Sequence, residues 1–373
     1  MAIGRVVFGG PDMKPRRLRD LLQSEIEAVP PGGRIDWATY YFRDRRLARA
    51  LVAAQRRGVQ VCITMERTPR RADANACVVD ILQRGGVDRL TARRWWPGRL
   101  HSKVYAFSHP DRCWIGSFNP SGDEVDDPDI LAAIGDQDRG DNLLVELRAP
   151  ELVEAGRRTV EMLGRGVPPL VRFDRRYTRV ARARGTQLFR YPRLGASPLS
   201  PSLAKLGPGD EVTAAISHLK PGPLLAALDA GAARGAHVML FVHDSQRRVP
   251  ASVRRYSSLE LTRVGDTATA PMHAKMLYAR IAGRRQVWTG SLNFNLRSRY
   301  LNAETLLLSD DERFCDMVES RLNEIGARSL PGKPGFSTGL PVPPRDREAY
   351  PAPAGPSRKG AGNRFIPPPD PGA

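Results

Sequence analysis

Two short patterns hold the residues best suited to chemistry. His101-Ser102-Lys103 precedes Gly116-Ser117-Phe118-Asn119, and His273-Ala274-Lys275 precedes Gly290-Ser291-Leu292-Asn293. An imidazole attacks or protonates, a lysine two residues on adds a fixed positive charge, and the serine and asparagine add hydrogen-bond donors. Two such sets facing each other make a cationic pocket for a single phosphoryl group. One histidine would attack phosphorus to give a phosphohistidine, while the other protonates the leaving oxygen and then activates water or an alcohol. The substrate implied is a phosphodiester. Lys103 and Lys275 neutralise its non-bridging oxygens, and no Asp/His cluster has the spacing of a divalent-cation site, so neither a metal nor any other cofactor is expected. Glu304 is expected to accept from a ring nitrogen of His273 and hold its tautomer.

Either pattern alone is an ordinary strand or turn signal; their recurrence in order, inside a repeated frame, makes them a site. The segment 5–11 (RVVFGGP) resembles 186–192 (TQLFRYP), and 34–42 (RIDWATYYF) parallels 211–219 (EVTAAISHL), both apolar enough for buried strands. Helices follow over 47–57 and 224–234, with Leu47, Leu51 and Ala54 matching Leu224, Leu228 and Gly231, and with Gly58 and Gly235 at their C-termini. Strands are expected next at 59–65 and 237–242, and the H-x-K segments are read as strands on which histidine and lysine share a face. Further strands at 113–116 and 287–290 deliver each serine, with Trp114 and Trp288 in the core. Helices at 151–163 and 311–325 close the halves.

This frame divides the chain into a first half (1–165), a basic connector (166–185), a second half (186–330) and a Pro/Gly-rich tail (331–373). The tail holds 12 of the 32 prolines and little apolar material, so it is expected to be disordered. Of 373 residues, 41% are hydrophobic, enough for cores in both halves, and the net charge of +18 favours an anionic partner. No apolar run suits a signal peptide or a membrane span, so the chain is expected in the cytoplasm or peripheral to a membrane, as a monomer. The cysteines Cys62, Cys77, Cys113 and Cys315 show neither disulfide nor zinc spacing.

The paired motifs resemble the phospholipase D superfamily, whose signature is H-x-K-x(4)-D followed by G-S/G-x-N; the likeness covers about residues 5–325. It implies an α/β fold of two pseudo-two-fold-related α/β/α halves with mixed sheets, an active site at their interface, and metal-independent transfer through a phosphohistidine. By position His101, Lys103, Ser117 and Asn119 match the first motif, and His273, Lys275, Ser291 and Asn293 the second. Family precedent gives the nucleophile to the N-terminal histidine, whereas a carboxylate beside His273 argues for the other, and the sequence leaves that division open. Arg297, Ser298, Asn302 and Glu304 resemble the R-S-x-x-x-N-x-E segment of the cardiolipin synthase-like branch. The signature aspartates are replaced by Ser108 and Arg280, with Asp111 offered by a shifted turn. The first-half counterpart of Glu304 is sought in Glu146 or in the acidic stretch 123–129.

Three readings follow. The first is hydrolysis or transfer of a phospholipid head group, with Arg93-Arg94-Trp95-Trp96 resting at an anionic membrane surface. The second is a nuclease or nucleic-acid phosphodiesterase, with Trp95 or Trp96 stacking a base. The third, motivated by the missing aspartates, is a phosphate- or nucleic-acid-binding protein with weakened catalysis.

Overall fold

In the computed structural model, residues 1–328 are described apart from 88, 123–127, 196, 267 and 268; the tail expected from 331 lies outside the described residues. The first half runs β1 (Ile3–Gly9), α1 (Arg17–Ala28), β2 (Arg34–Thr39), α2 (Arg45–Arg56), β3 (Gln60–Glu66), α3 (Ala76–Arg84), β4 (Arg89–Arg93), β5 (Val104–Phe107), β6 (Arg112–Gly116), α4 (Pro128–Ile134), β7 (Asn142–Leu147) and α5 (Pro150–Arg165). The second runs α6 (Arg175–Thr178), β8 (Ala181–Ala183), β9 (Thr186–Tyr191), α7 (Ser200–Leu203), β10 (Glu211–Ile216), α8 (Pro223–Ala233), β11 (His237–His243), β12 (Glu260–Asp266), β13 (Ala270–Pro271), β14 (Lys275–Ile281), β15 (Arg284–Gly290), α9 (Leu296–Tyr300), β16 (Glu304–Ser309) and α10 (Glu312–Arg328).

The sheet orders expose the duplication. The first sheet is β1-β7-β6-β5-β2-β3-β4, and the second contains the same progression as β9-β16-β15-β14-β10-β11-β12, with β8 and β13 added at its edges. In both, the three strands joined by helical crossovers are parallel and the rest antiparallel. Parallel neighbours need a crossover, which is what α2 and α8 supply. Asp44 starts α2 by accepting from the Leu47 N–H at 2.8 Å, and Gly58 and Gly235 stand just past the ends of α2 and α8 with positive φ.

Each sheet is covered on both faces. The apolar sides of α1, α2 and α3 pack on one face of the first sheet, and α7 and α8 on one face of the second. Between the sheets lies a shared core to which α5 and α10 contribute Leu152, Val160, Phe314, Val318 and Leu322, together with Val145, Met276 and Leu307 from the strands. Trp114 and Trp288 are buried, as expected.

Two expectations change. The segment 166–185 contains α6 and β8, and β8 pairs with β9, so part of this stretch extends the second sheet. The H-x-K residues largely precede their strands: β5 begins at Val104 and β14 at Lys275. Their backbones pair across the seam instead, through parallel bridges Leu100↔Ala303 and Asp141↔Met272. Cross-half pairing explains why a run expected to be ordinary sheet stops short.

Candidate active site

Antiparallel pairing sets up each half-site. β6 ends at Gly116 and β7 starts at Asn142, so Ser117 stands beside Asn142; β15 ends at Gly290 and β16 starts at Glu304, so Ser291 stands beside Glu304. Ser117 Oγ donates to Asn142 Oδ1 at 2.9 Å, and Ser291 Oγ donates to Glu304 Oε2 at 2.6 Å. Each hydroxyl also accepts a backbone N–H, from Leu143 at 3.2 Å and from Thr305 at 3.0 Å. The serines therefore brace the next strand's first residue.

Across the seam, each braced residue meets the histidine of the opposite half. The His101 N–H donates to the Ala303 carbonyl at 2.9 Å, and His101 Nδ1–H donates to Glu304 Oε2 at 2.8 Å. In the mirror arrangement the His273 N–H donates to the Asp141 carbonyl at 3.1 Å, and His273 Nδ1–H donates to Asn142 Oδ1 at 2.9 Å. This corrects the expected pairing: Glu304 serves His101, not His273. Its counterpart is Asn142 rather than Glu146, which lies on β7 among Arg5, Arg112 and Arg148. Most of the acidic stretch 123–129 lies outside the described residues. With both Nδ1 atoms tied, Nε2 is the untied nitrogen of each ring, and the two rings line one cavity of about 140 Å³.

Both lysines are buried, and Lys103 Nζ donates to the His101 carbonyl at 2.7 Å as Lys275 Nζ does to the His273 carbonyl at 2.6 Å. Burial pushes Lys103 down to about 7 against the pull of Glu304, and burial with Lys103 nearby drives Lys275 well below its usual range. Burial, helped by Lys103 and Lys275 and opposed by Glu304, pushes His101 down to about 4; burial and both lysines take His273 well below its ordinary value. Burial disfavours ionisation of Glu304, but His101, Lys103 and Ser291 outweigh it and keep the carboxylate charged. Gathering these cations in a buried site is unfavourable, and an anion bound among them relieves the cost.

Asn119 lines the cavity, donating to Gln137 Oε1 at 3.2 Å and accepting the Tyr41 N–H at 3.3 Å; Asn293 lines it with a buried Oδ1 that has no partner among the described residues. Asn302 donates to Glu304 Oε1 at 3.2 Å and accepts the Arg99 N–H at 3.0 Å, so the segment matched by its R-S-x-x-x-N-x-E pattern holds Glu304 in place. Residues not singled out from the sequence also line the cavity: Tyr40, whose ring lies 5.1 Å from that of His101, and His218, Gln137 and Arg248. Tyr40 and His218 follow β2 and β10, so the duplicated frame was a signal for both.

The missing aspartates fall elsewhere. Ser108 stands past the end of β5 and accepts the Arg34 N–H at 2.7 Å, while Arg280 pairs with Glu211 at 2.8 Å; Arg34 and Glu211 start the strands whose other ends face the cavity. Asp111 pairs with Arg157 at 2.7 Å and is no substitute in the site. Trp95 is buried, its Nε1–H donating to the Leu301 carbonyl at 2.9 Å, which removes it as a base-stacking or membrane residue; Trp96 is exposed.

Two half-sites meeting at the seam of a duplicated α/β fold are the architecture of the phospholipase D-like fold. Residues 31–137 and 207–325 match the cardiolipin synthase, phospholipase D-like domain family, and the chain belongs to that family. A similar fold occurs in phosphatidylserine synthase from Haemophilus influenzae, at 13% identity and a TM-score of 0.62 over 88% of each chain. It recurs in polyphosphate kinase from Porphyromonas gingivalis, at 14% identity and a TM-score of 0.59 over 86% of this chain and 49% of that one, so the chain spans about half the kinase's length. No curated protein matches the chain in sequence.

Proposed function

We propose that the protein hydrolyses or transfers the head group of a phospholipid through a phosphohistidine on His101, with His273 as general acid and then general base. The carrying observation is the unequal backing of two imidazoles over one cavity: a carboxylate behind His101 and a neutral amide behind His273. As Nε2 of His101 bonds to phosphorus and the phosphorus–oxygen bond to the leaving group breaks, the ring becomes cationic, and Glu304 stabilises that charge. Asn142 offers His273 no such charge, so a proton on Nε2 of His273 is readily given to the leaving oxygen. Lys103 and Lys275, recharged by the incoming anion, hold the non-bridging oxygens together with Asn119 and Asn293. Water or an alcohol, deprotonated by His273, then attacks phosphorus and frees His101.

A lipid substrate is favoured by exposed apolar side chains, two of which, Trp96 and Leu296, stand three residues from the cavity-lining Arg99 and Asn293. Trp96, Leu170, Val171, Leu194 and Leu296 are exposed, and arginines stitch their segments together: Arg172 Nη1 donates to the Trp96 carbonyl at 2.7 Å, and the Arg193 N–H to the Arg299 carbonyl at 3.2 Å in the helix that starts at Leu296. Apolar tips set among arginines suit an anionic bilayer face. Among the described residues no helix is long and apolar enough to cross a membrane.

Head-group release from anionic vesicles and cleavage of single-stranded DNA, each with and without chelator, test the substrate class. Lipid turnover alone is expected; DNA cleavage alone would give the site to a nuclease, and salt-dependent binding without turnover would make it a binding protein. Trapping with labelled substrate tests the roles. H273A should retain label on His101 and H101A none; the reverse pattern exchanges the roles, and label on neither removes the covalent route.

A further inference from the structure

One phosphodiester brings a single negative charge, and the two lysines already answer it. The same cavity is also lined by Arg70, Arg99, Arg247 and Arg248. Arg99 is engaged by the carbonyl and hydroxyl of Thr68, and Arg70 Nη2 donates to the Ala133 carbonyl at 3.1 Å. Arg248 is different. It is 4% exposed, its Nη2 donates to the Ile134 carbonyl at 3.1 Å across the seam, and its Nε and Nη1 have no hydrogen-bond partner among the described residues. A buried guanidinium short of acceptors is unfavourable unless something anionic completes it. Asp244, whose charge it feels, gives neither of those nitrogens a hydrogen bond. Burial, with Arg70 nearby, pushes Arg248 down to about 10, and its charge in turn adds to the lowering of His273 and Lys275. Arg70 and Arg247 are exposed at the same cavity.

We propose that Arg248, with Arg70 and Arg247, forms a second anion subsite beside the paired lysines, so that the preferred substrate carries a second phosphate adjacent to the scissile phosphodiester. Its two unpartnered nitrogens can each meet a phosphate oxygen, and its place between α4 and the segment after β11 lets both halves grip one diphosphate. This rests on the phosphoryl-transfer reading of the site and narrows it to diphosphate-type substrates.

The test is calorimetric titration of the full chain with inorganic phosphate and with pyrophosphate at pH 6, with chelator present. Pyrophosphate should bind about tenfold or more tightly than phosphate, and R248Q should lose most of that margin by lowering pyrophosphate affinity far more than phosphate affinity. R70Q and R247Q, both surface changes that leave the buried network intact, should each lower pyrophosphate affinity several-fold and keep the test valid if R248Q fails to fold. Equal affinities for the two anions, or R70Q and R247Q variants that keep the full margin, overturn the subsite. Phosphate that binds without a pyrophosphate margin sinks this inference alone; phosphate that does not bind sinks the site reading with it. A nucleoside diphosphate and a short-chain lipid diphosphate, run as competitors, identify which substituent the cavity takes, and tighter binding of either than of phosphate supports the subsite.

Discussion

Glu304 and Asn142 hold equivalent places at the starts of β16 and β7, each bonded to a serine of its own half and a histidine of the other. Replacing the charged member tests the division of roles. E304Q preserves the shape of the contact but removes the charge that favours a cationic His101, and kcat should fall on the order of 10²-fold or more with KM little changed. An E304Q variant with near-normal kcat would mean that the carboxylate only props the ring. The acid–base setting gives a second expectation. His101 must be neutral to attack, which holds above its depressed value of about 4, and Lys103 must be charged to bind the anion, which holds below about 7. His273, as general acid, must also start protonated, and its lowered value brings the falling limb to or below that of Lys103, so the kcat/KM profile of the free enzyme should be bell-shaped with its maximum below about 7, and an optimum above pH 8 would contradict it.

At the scale of elements, the glycines of G-S-x-N show how strand ends build the site. A Cβ on Gly116 would stand 2.1 Å from the Leu143 carbonyl oxygen, and one on Gly290, where φ is +145°, would stand 2.3 Å from that of Thr305. Those carbonyls accept the N–H groups of Ser117 and Ser291 at 3.1 and 3.0 Å, so the close approach is what seats each serine. G290A should push β16 away from β15, cost about 1 to 3 kcal/mol in a urea melt, and lower kcat through the disturbed Ser291–Glu304 contact. Unchanged stability and kcat would show that the approach is not required. The repeat was readable at this scale because helices and strands keep their periods in both copies. Leu47, Leu51 and Leu228 face the core as their spacing implies. Strand boundaries near the seam were not readable, since 99–101 and 271–273 take backbone partners from the other half.

For the whole molecule, the seam depends on a buried ionic cluster. Arg321 on α10 is almost wholly buried and reaches the first half, donating to Asp12 Oδ1 at 2.8 Å and Asp141 Oδ1 at 3.0 Å, and Arg328 joins Asp141 at 2.7 Å. The Asp141 carbonyl accepts the His273 N–H, so this cluster holds the second half-site against the first. R321M leaves Asp141 with one partner and should cost about 3 kcal/mol or more, read as a lower denaturation midpoint. Phosphoryl transfer should fall with it at temperatures where the chain is still folded; an undiminished midpoint would show that the shared core alone fastens the halves.

Residue order carried the duplication, the two H-x-K and G-S-x-N sets, the alternation of strands and helices, and the excess of positive charge, because each is written in local spacing or in composition. Partnership across the seam was not written there. That Glu304 backs His101, that an asparagine stands where a second carboxylate was sought, that Trp95 is buried while Trp96 is exposed, and that Arg248 reaches the cavity all follow from folding one half over the other. Contacts between residues such as His101 and Glu304, 203 positions apart, depend on how two sheets pack around α5 and α10, which no periodicity within either half encodes.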